Sequence, residues 1–167
     1  MLEGCVKEAM DMVHLPYDRL KDKSPLELSG GEKRRVALAG VLAMKPSVLV
    51  LDEIAAGLDP ENHIAMIKML YGLCKDKGMT IVLVTHNMED AAAMSDSIIV
   101  LNDGQVFLKG TPREVFGEAK ALKDLGLNLP RATEIGNYLA EKGYIKKKTI
   151  LTMDELVFEI KKAKEGQ

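Results

Sequence analysis

The chain has 167 residues, a formal net charge of -2 and 47% hydrophobic residues. That length allows one domain, and the charge balance offers no overall attraction to nucleic acid. No apolar run reaches the ~18 residues of a membrane span, the start lacks the apolar stretch of a secretory leader, and Cys5 and Cys74 have no metal-ligand spacing and read as free thiols of a reducing cytosol.

Leu28-Ser29-Gly30-Gly31-Glu32 is the first informative run. Ser29 and Glu32 stand three apart before a helical pattern, which predicts a capping box: the hydroxyl takes one free helix N–H and the carboxylate reaches back to another. Gly30 and Gly31 let an anion approach the backbone, and the helix start adds partial positive charge and unpaired N–H groups, a seat for phosphate. Alone, the run means no more than a capped helix. Val36 to Met44 continues as helix and stops before Pro46.

Val48-Leu49-Val50-Leu51 shows no polar alternation and predicts a strand buried on both faces of a parallel sheet. Asp52 and Glu53 follow at its carboxyl end, where open α/β sheets place their ligands. An Asp there can hold Mg²⁺, and the next Glu can polarise an attacking water. Ala56-Gly57-Leu58-Asp59 comes next, and Asp59-Pro60 reads as a turn opening a helix. His63 to Lys77 is amphipathic, with Ile64, Ile67, Leu70 and Cys74 on one face and Gly78 as C-cap. Met10, Met66 and Met69 read as gap-filling core. A second apolar strand, Ile81 to Val84, ends in Thr85-His86, whose imidazole can hydrogen-bond a terminal phosphate. His14 and His63 have no such setting and read as surface or packing residues.

Asn87 to Met94 predicts a short helix. Ser97 to Leu101 and Gln105 to Leu108 flank Asn102-Asp103-Gly104, a hairpin pattern. Thr111-Pro112-Arg113-Glu114 is another capping box with Pro at the first helical position. Arg131 to Lys142 carries Ile135, Tyr138 and Leu139 and stops at Gly143. Lys146-Lys147-Lys148 reads as a solvated basic loop. Thr152 to Lys164 begins with Thr152-x-x-Glu155 and ends in lysines, which suits a helix dipole. No internal repeat or low-complexity tract occurs.

In order and spacing these pieces resemble the signature motif, Walker B segment, Ala-Gly-Leu-Asp loop and switch histidine of an ATP-binding-cassette (ABC) ATPase, over nearly the whole chain. The resemblance implies an α/β fold, a partial P-loop NTPase with a parallel sheet that lacks the phosphate-loop strand, and a C-terminal helical extension. It implies residues 1–45 as the end of a helical subdomain, 46–110 as part of a RecA-like core, and 111–167 as that extension. It also implies ATP and Mg²⁺ as cofactors. Ser29, Gly30, Gly31 and Glu32 form the signature that meets ATP held by a second ATPase subunit, identical or not. Asp52 binds Mg²⁺, Glu53 is the general base, His86 is the γ-phosphate switch, and Asp59 lies at the dimer seam. Glu32 stands where the family most often has Gln, and Ile54 where it usually has Pro, which removes a φ restraint from the loop.

Arg34 to Met44, Ala55 to Pro60 and Gly126 to Pro130 resemble, more narrowly, the ATPases of energy-coupling-factor and cobalt or nickel importers. That group implies uptake of a vitamin or transition-metal ion, a transmembrane coupling protein and a substrate-binding membrane subunit as partners, and a cytoplasmic place on the inner membrane face. No nucleic acid is expected. No G-x-x-x-x-G-K-[ST] phosphate loop occurs in these residues. The expectation is a piece of an importer ATPase, poorly stable and inactive alone. One alternative is a natural short chain that donates its signature to a partner's phosphate loop. Another is a non-transport ABC protein acting on DNA or the ribosome, which the absence of long heptads and the short length disfavour.

Overall fold

A computed structural model describes residues 2–146 and 148–165. The chain divides after Val84 into two compact units.

In the first unit, α1 (Leu2–Met12), α2 (Tyr17–Leu20) and a 3-10 turn (Pro25–Glu27) lead into α3 (Gly30–Leu42), which lies against α1. Helix α3 starts six residues earlier than the apolar pattern from Val36 predicts. Its start is set by the Ser29 cap, not by periodicity. Then come β1 (Val48–Asp52), α4 (Pro60–Lys77) and β2 (Thr80–Val84), with β1 and β2 parallel and Asp52 opposite Val84. A parallel pair needs such a crossover helix. Asp59 caps α4, Pro60 takes its first turn, and Gly78 ends it in the left-handed region with φ 63°.

Two sequence expectations change here. The buried stripe of α4 is Met66, Ile67, Met69, Leu70 and Leu73, whereas Ile64 is exposed and Cys74 half-buried. The methionines do fill the core: Met66 is 0% exposed. The second change concerns β1. Leu49 and Leu51 are buried, but Val48 and Val50 are exposed, as are Val82 and Val84 on β2. The strand is therefore covered on one face, not both. Alternate side chains point to opposite faces, and among the described residues nothing covers the valine face.

The second unit contains α5 (Met88–Met94) capped by Asn87, β3 (Ile98–Asn102), β4 (Gln105–Gly110), α6 (Pro112–Gly117), α7 (Ala119–Asp124), α8 (Arg131–Glu141) and α9 (Met153–Glu165). Strands β3 and β4 form the expected antiparallel hairpin, with a bulge between Val100 and Leu101. Its two turn residues, Asp103 and Gly104, both have positive φ, which matches the twist of tight hairpins. The Thr111–Glu114 box is fully made. The Thr152–Glu155 box is half made: Thr152 accepts the Glu155 amide at 3.3 Å, but the Glu155 carboxylate takes the Leu151 amide and Arg113 instead.

Phe116, Val115, Leu122 and Leu129 centre one core cluster, and Ala132, Ile150, Ile145 and Leu156 a second. In α8 the buried positions are Ala132, Thr133 and Gly136, while Ile135 and Tyr138 are exposed. A Cβ on Gly136 would stand 3.0 Å from Ile150, so small residues allow this close approach. Lys148 pairs with Glu159 at 3.1 Å and is not simply solvated; Lys147 of the basic run lies outside the described residues.

Candidate functional site

The capping box at the start of α3 forms as the sequence predicts. Ser29 Oγ accepts the Glu32 amide at 3.2 Å, and the Ser29 amide donates to Glu32 Oε2 at 2.9 Å. Arg19 Nη2 donates to the other carboxylate oxygen at 2.8 Å. Hydrogen bonds from Ser29, its backbone amide foremost, hold the Glu32 carboxyl below the usual carboxylate range, with Arg19 adding a smaller pull. The negative charge at Glu32 thus has a partner of its own. Gly30 is exposed, and a Cβ added there would meet nothing within 4 Å. The amides of Gly30 and Gly31 precede the first intrahelical bonds. The Ser29 hydroxyl also hydrogen-bonds the Glu32 carboxylate. This end of α3 is therefore open and donor-rich.

The carboxylate turn is built at the end of β1. Asp52 is exposed and Glu53 half-buried. Glu53 has φ 49°, in the left-handed region that non-glycine residues seldom occupy. Its amide donates to Val84 O at 3.0 Å, which extends the β1–β2 ladder one step past Asp52. The Ala56 amide then returns to Glu53 O at 3.0 Å. Such a conformation costs about 1–3 kcal/mol and persists only where neighbours over-determine it. Asp59 caps α4 through two contacts with Asn62, whose amide donates at 3.1 Å and whose side-chain Nδ2 donates at 2.7 Å. These bonds, the side-chain amide first, lower the Asp59 pKa.

The structure brings the signature end and the carboxylate turn together within the first unit, through residues not singled out from sequence. Arg34 of α3 donates through Nη1 to the carbonyls of Ile54, at 3.4 Å, and Ala56. Arg35 Nη2 donates to Asn62 Oδ1 at 2.7 Å, and Asn62 is also the residue closest to a Cβ built on Gly31, at 3.6 Å. Ser29, Glu32, Arg35 and Asn62 line one cavity of about 280 Å³ with His14 and Arg19. In the sequence Arg34 and Arg35 stand only at the head of the run that resembles importer ATPases; their partners lie 20 to 27 residues away and no local spacing announces them. His86 is exposed and belongs to the second unit. His14 is exposed and His63 half-buried on α4, as expected.

Among the described residues no three His, Cys, Asp or Glu converge as a metal site. Mg²⁺ that accompanies nucleotides takes one or two carboxylates, with phosphate oxygens and water for the rest, and the exposed Asp52 carboxylate at the end of β1 is an oxygen donor of that kind.

A capped glycine-rich helix start is tied to the turn that follows the acids at a parallel strand's end, the arrangement of part of an ATP-binding cassette. Residues 4–56 match the family model described as ABC transporter. The chain belongs to the ABC ATPases, of which it carries a part. It is 48% identical over 163 residues to the energy-coupling factor transporter ATP-binding protein EcfA2 of Clostridioides difficile (strain 630), covering 97% of this chain and 57% of that protein. EcfA2 of Clostridium perfringens (strain 13 / Type A) is 47% identical over 164 residues, 96% of this chain and 54% of that one. The chain spans about half the length of the curated relatives it matches.

Among solved structures, cbiO1 of Clostridium perfringens, described as part of the ABC transporter complex cbiONQ, superposes with a TM-score of 0.63 at 40% identity over 77% of this chain and 51% of its own. The dimeric post-hydrolysis cassette MJ0796, bound to ADP and Pi, does so with 0.58 at 32% identity, over 66% of this chain and 47% of its own. The α/β fold of an ABC cassette is thereby established. The described residues include no helix long and apolar enough to cross a membrane.

Proposed function

We propose that this chain contributes signature, Walker B and dimer-seam elements to an ATP-hydrolysing subunit of an energy-coupling-factor type importer. The observation that carries this reading is the joining of the Ser29 cap to the Glu53–Asp59 turn by Arg34, Arg35 and Asn62 in a single unit. Residues 1–45, 46–110 and 111–167 are read as the end of the helical subdomain, the core segment and the C-terminal extension.

In this reading the open start of α3 meets the γ-phosphate of ATP held on a second ATPase subunit. Ser29 donates its hydroxyl proton, Gly30 and Gly31 offer backbone N–H groups, and Glu32 keeps the helix start in shape. Asp59 lies at the seam between subunits. Asp52 is the protein ligand of Mg²⁺, which supplies charge neutralisation at the phosphates when bound. Glu53 holds and accepts the proton of the attacking water, and His86 hydrogen-bonds the terminal phosphate. Glu53 acts on nucleotide bound beside this chain's own sheet, Ser29 on nucleotide bound across the dimer. A coupling protein and a substrate-binding subunit in the membrane complete the importer, the cargo being a vitamin or a transition-metal ion. The cassette sits at the cytoplasmic face, and no nucleic acid takes part.

A mixed-chain assay tests it. The polypeptide is titrated into a full-length energy-coupling factor cassette, such as the C. difficile relative, whose own signature serine is replaced by Arg. ATP hydrolysis should rise above that of the cassette alone. It should be lost with Ser29→Arg in this chain and retained with Glu53→Gln, because the signature and Asp59 work at the seam whereas the Glu53 carboxylate serves nucleotide on its own side. No rise with the unaltered chain contradicts the proposal.

A further inference from the structure

The turn between Glu53 and Asp59 is short of internal restraint. It contains no proline until Pro60, it includes Gly57 at φ 68°, and it starts from the strained Glu53. Its own backbone bonds are few: Ala56 N–H to Glu53 O at 3.0 Å and Leu58 N–H to Ala55 O at 3.4 Å. The carbonyls of Ile54 and Ala56 lie between these and accept from one guanidinium. That guanidinium also approaches Gly57, whose added Cβ would stand 4.0 Å from Arg34 Nη2.

Resting on the functional reading above, we propose that Arg34 is a positioning residue: it locks the Glu53–Asp59 turn onto the signature helix, so that the phosphate-facing end of α3 and the carboxylate turn move as one body. Both carbonyls accept from Nη1, whose two N–H groups the planar guanidinium holds in fixed directions, whereas a lysine ammonium on a flexible stem has no such preset geometry. Arg35 adds a second, separate strut to the far end of the turn through Asn62 and Asp59, at 2.7 Å and 2.7 Å. Two adjacent residues of one helix thus hold both halves of the turn. The Arg34 donors in this geometry go to the carbonyls of the turn, so its effect is exerted through the turn.

Hydrogen exchange on the polypeptide alone tests this without reference to ATP. Arg34→Ala should speed exchange in the 54–58 segment by about tenfold or more, with Arg34→Lys in between, while α3 beyond residue 36 and α4 keep their protection. Unchanged exchange at 54–58, or equal acceleration throughout the first unit, would overturn the assignment, the latter marking Arg34 as a general stabiliser. In the mixed-chain assay the same variants separate the two roles. Positioning predicts a lower turnover plateau at an unchanged half-activating concentration of chain. A loss of folded chain alone raises that concentration and leaves the plateau. If the unaltered chain activates nothing while the exchange pattern holds, the function reading fails and the lock stands.

Discussion

Replacing Ser29 separates what this residue does for the helix from what it does for phosphate. Its side chain accepts one helix N–H, from Glu32 at 3.2 Å, while the reciprocal bond from the Ser29 amide to Glu32 Oε2 is a backbone contact that neither Ala nor Gly removes. Ala at an N-cap costs about 1 kcal/mol, whereas Gly costs only a few tenths. With a urea slope of about 2 kcal/mol/M, Ser29→Ala should lower the unfolding midpoint by about 0.5 M and Ser29→Gly by roughly 0.1–0.2 M. The backbone at Ser29, φ -62° and ψ 161°, is open to glycine without strain. A hydrogen bond to a charged acceptor contributes about 1.5–3 kcal/mol, so both variants should lose roughly 10- to 150-fold of the mixed-chain ATPase rate. The decisive comparison is Ser29→Gly: near-native stability with the same activity loss as Ser29→Ala. If Ser29→Gly keeps full activity, the hydroxyl does not meet phosphate and the capping box is only a capping box.

Three further outcomes are expected. Glu32 and Asp59 both have lowered pKa values from hydrogen bonds at helix starts. A depressed carboxyl adds stability above its unfolded pKa of about 4, lost as pH falls through the folded value; amide protection factors (exchange relative to the unstructured-peptide rate at the same pH) at residues 30–33 and 60–63 should therefore fall below about pH 4, and protection factors that stay constant would contradict it. In the second unit, Phe116→Ala should cost about 3–5 kcal/mol because Phe116 is 2% exposed. Phe158→Ala, at 63% exposure, should stay within about 0.5 kcal/mol, and equal urea shifts for the two would refute the core assignment. The bare valine face of the β1–β2 sheet should drive self-association of the isolated polypeptide. The double change Val50→Lys and Val82→Lys should reduce light scattering on warming, and undiminished scattering would show that another surface is responsible.

Local rules made much of this molecule readable. Three N-caps, at Ser29, Asp59 and Thr111, stand where a side-chain oxygen precedes a helical pattern, and the Asp103-Gly104 turn follows from its residue types. These features depend on contacts three or four residues apart. The apolar pattern alone begins α3 only at Val36, since Gly30 and Gly31 have poor helix propensity, and it is the Ser29 cap that marks the start. The buried face of α4 was only half legible. Its apolar residues, Ile64 and Cys74 among them, extend around more of the helix than the sheet covers, so period alone does not say which stay exposed. An unbroken valine and leucine run cannot tell one covered face from two, which is why β1 differs from expectation. For the candidate site, Ser29, Asp52, Glu53 and Asp59 were visible because their chemistry sits at element ends. Arg34, Arg35 and Asn62 were not, since they matter through partners brought close only by the fold.

The central claim, that Ser29 faces a phosphate loop on another subunit, is tested most directly by proximity. Cys5 and Cys74 are changed to Ser, Ser29 to Cys, and a cysteine is placed beside the phosphate loop of the full-length partner cassette used above. With ATP present, mild oxidation should produce a cross-linked heterodimer on a non-reducing gel, absent when Lys45→Cys replaces Ser29→Cys. No cross-link at position 29, or an equal yield from position 45, would contradict the account.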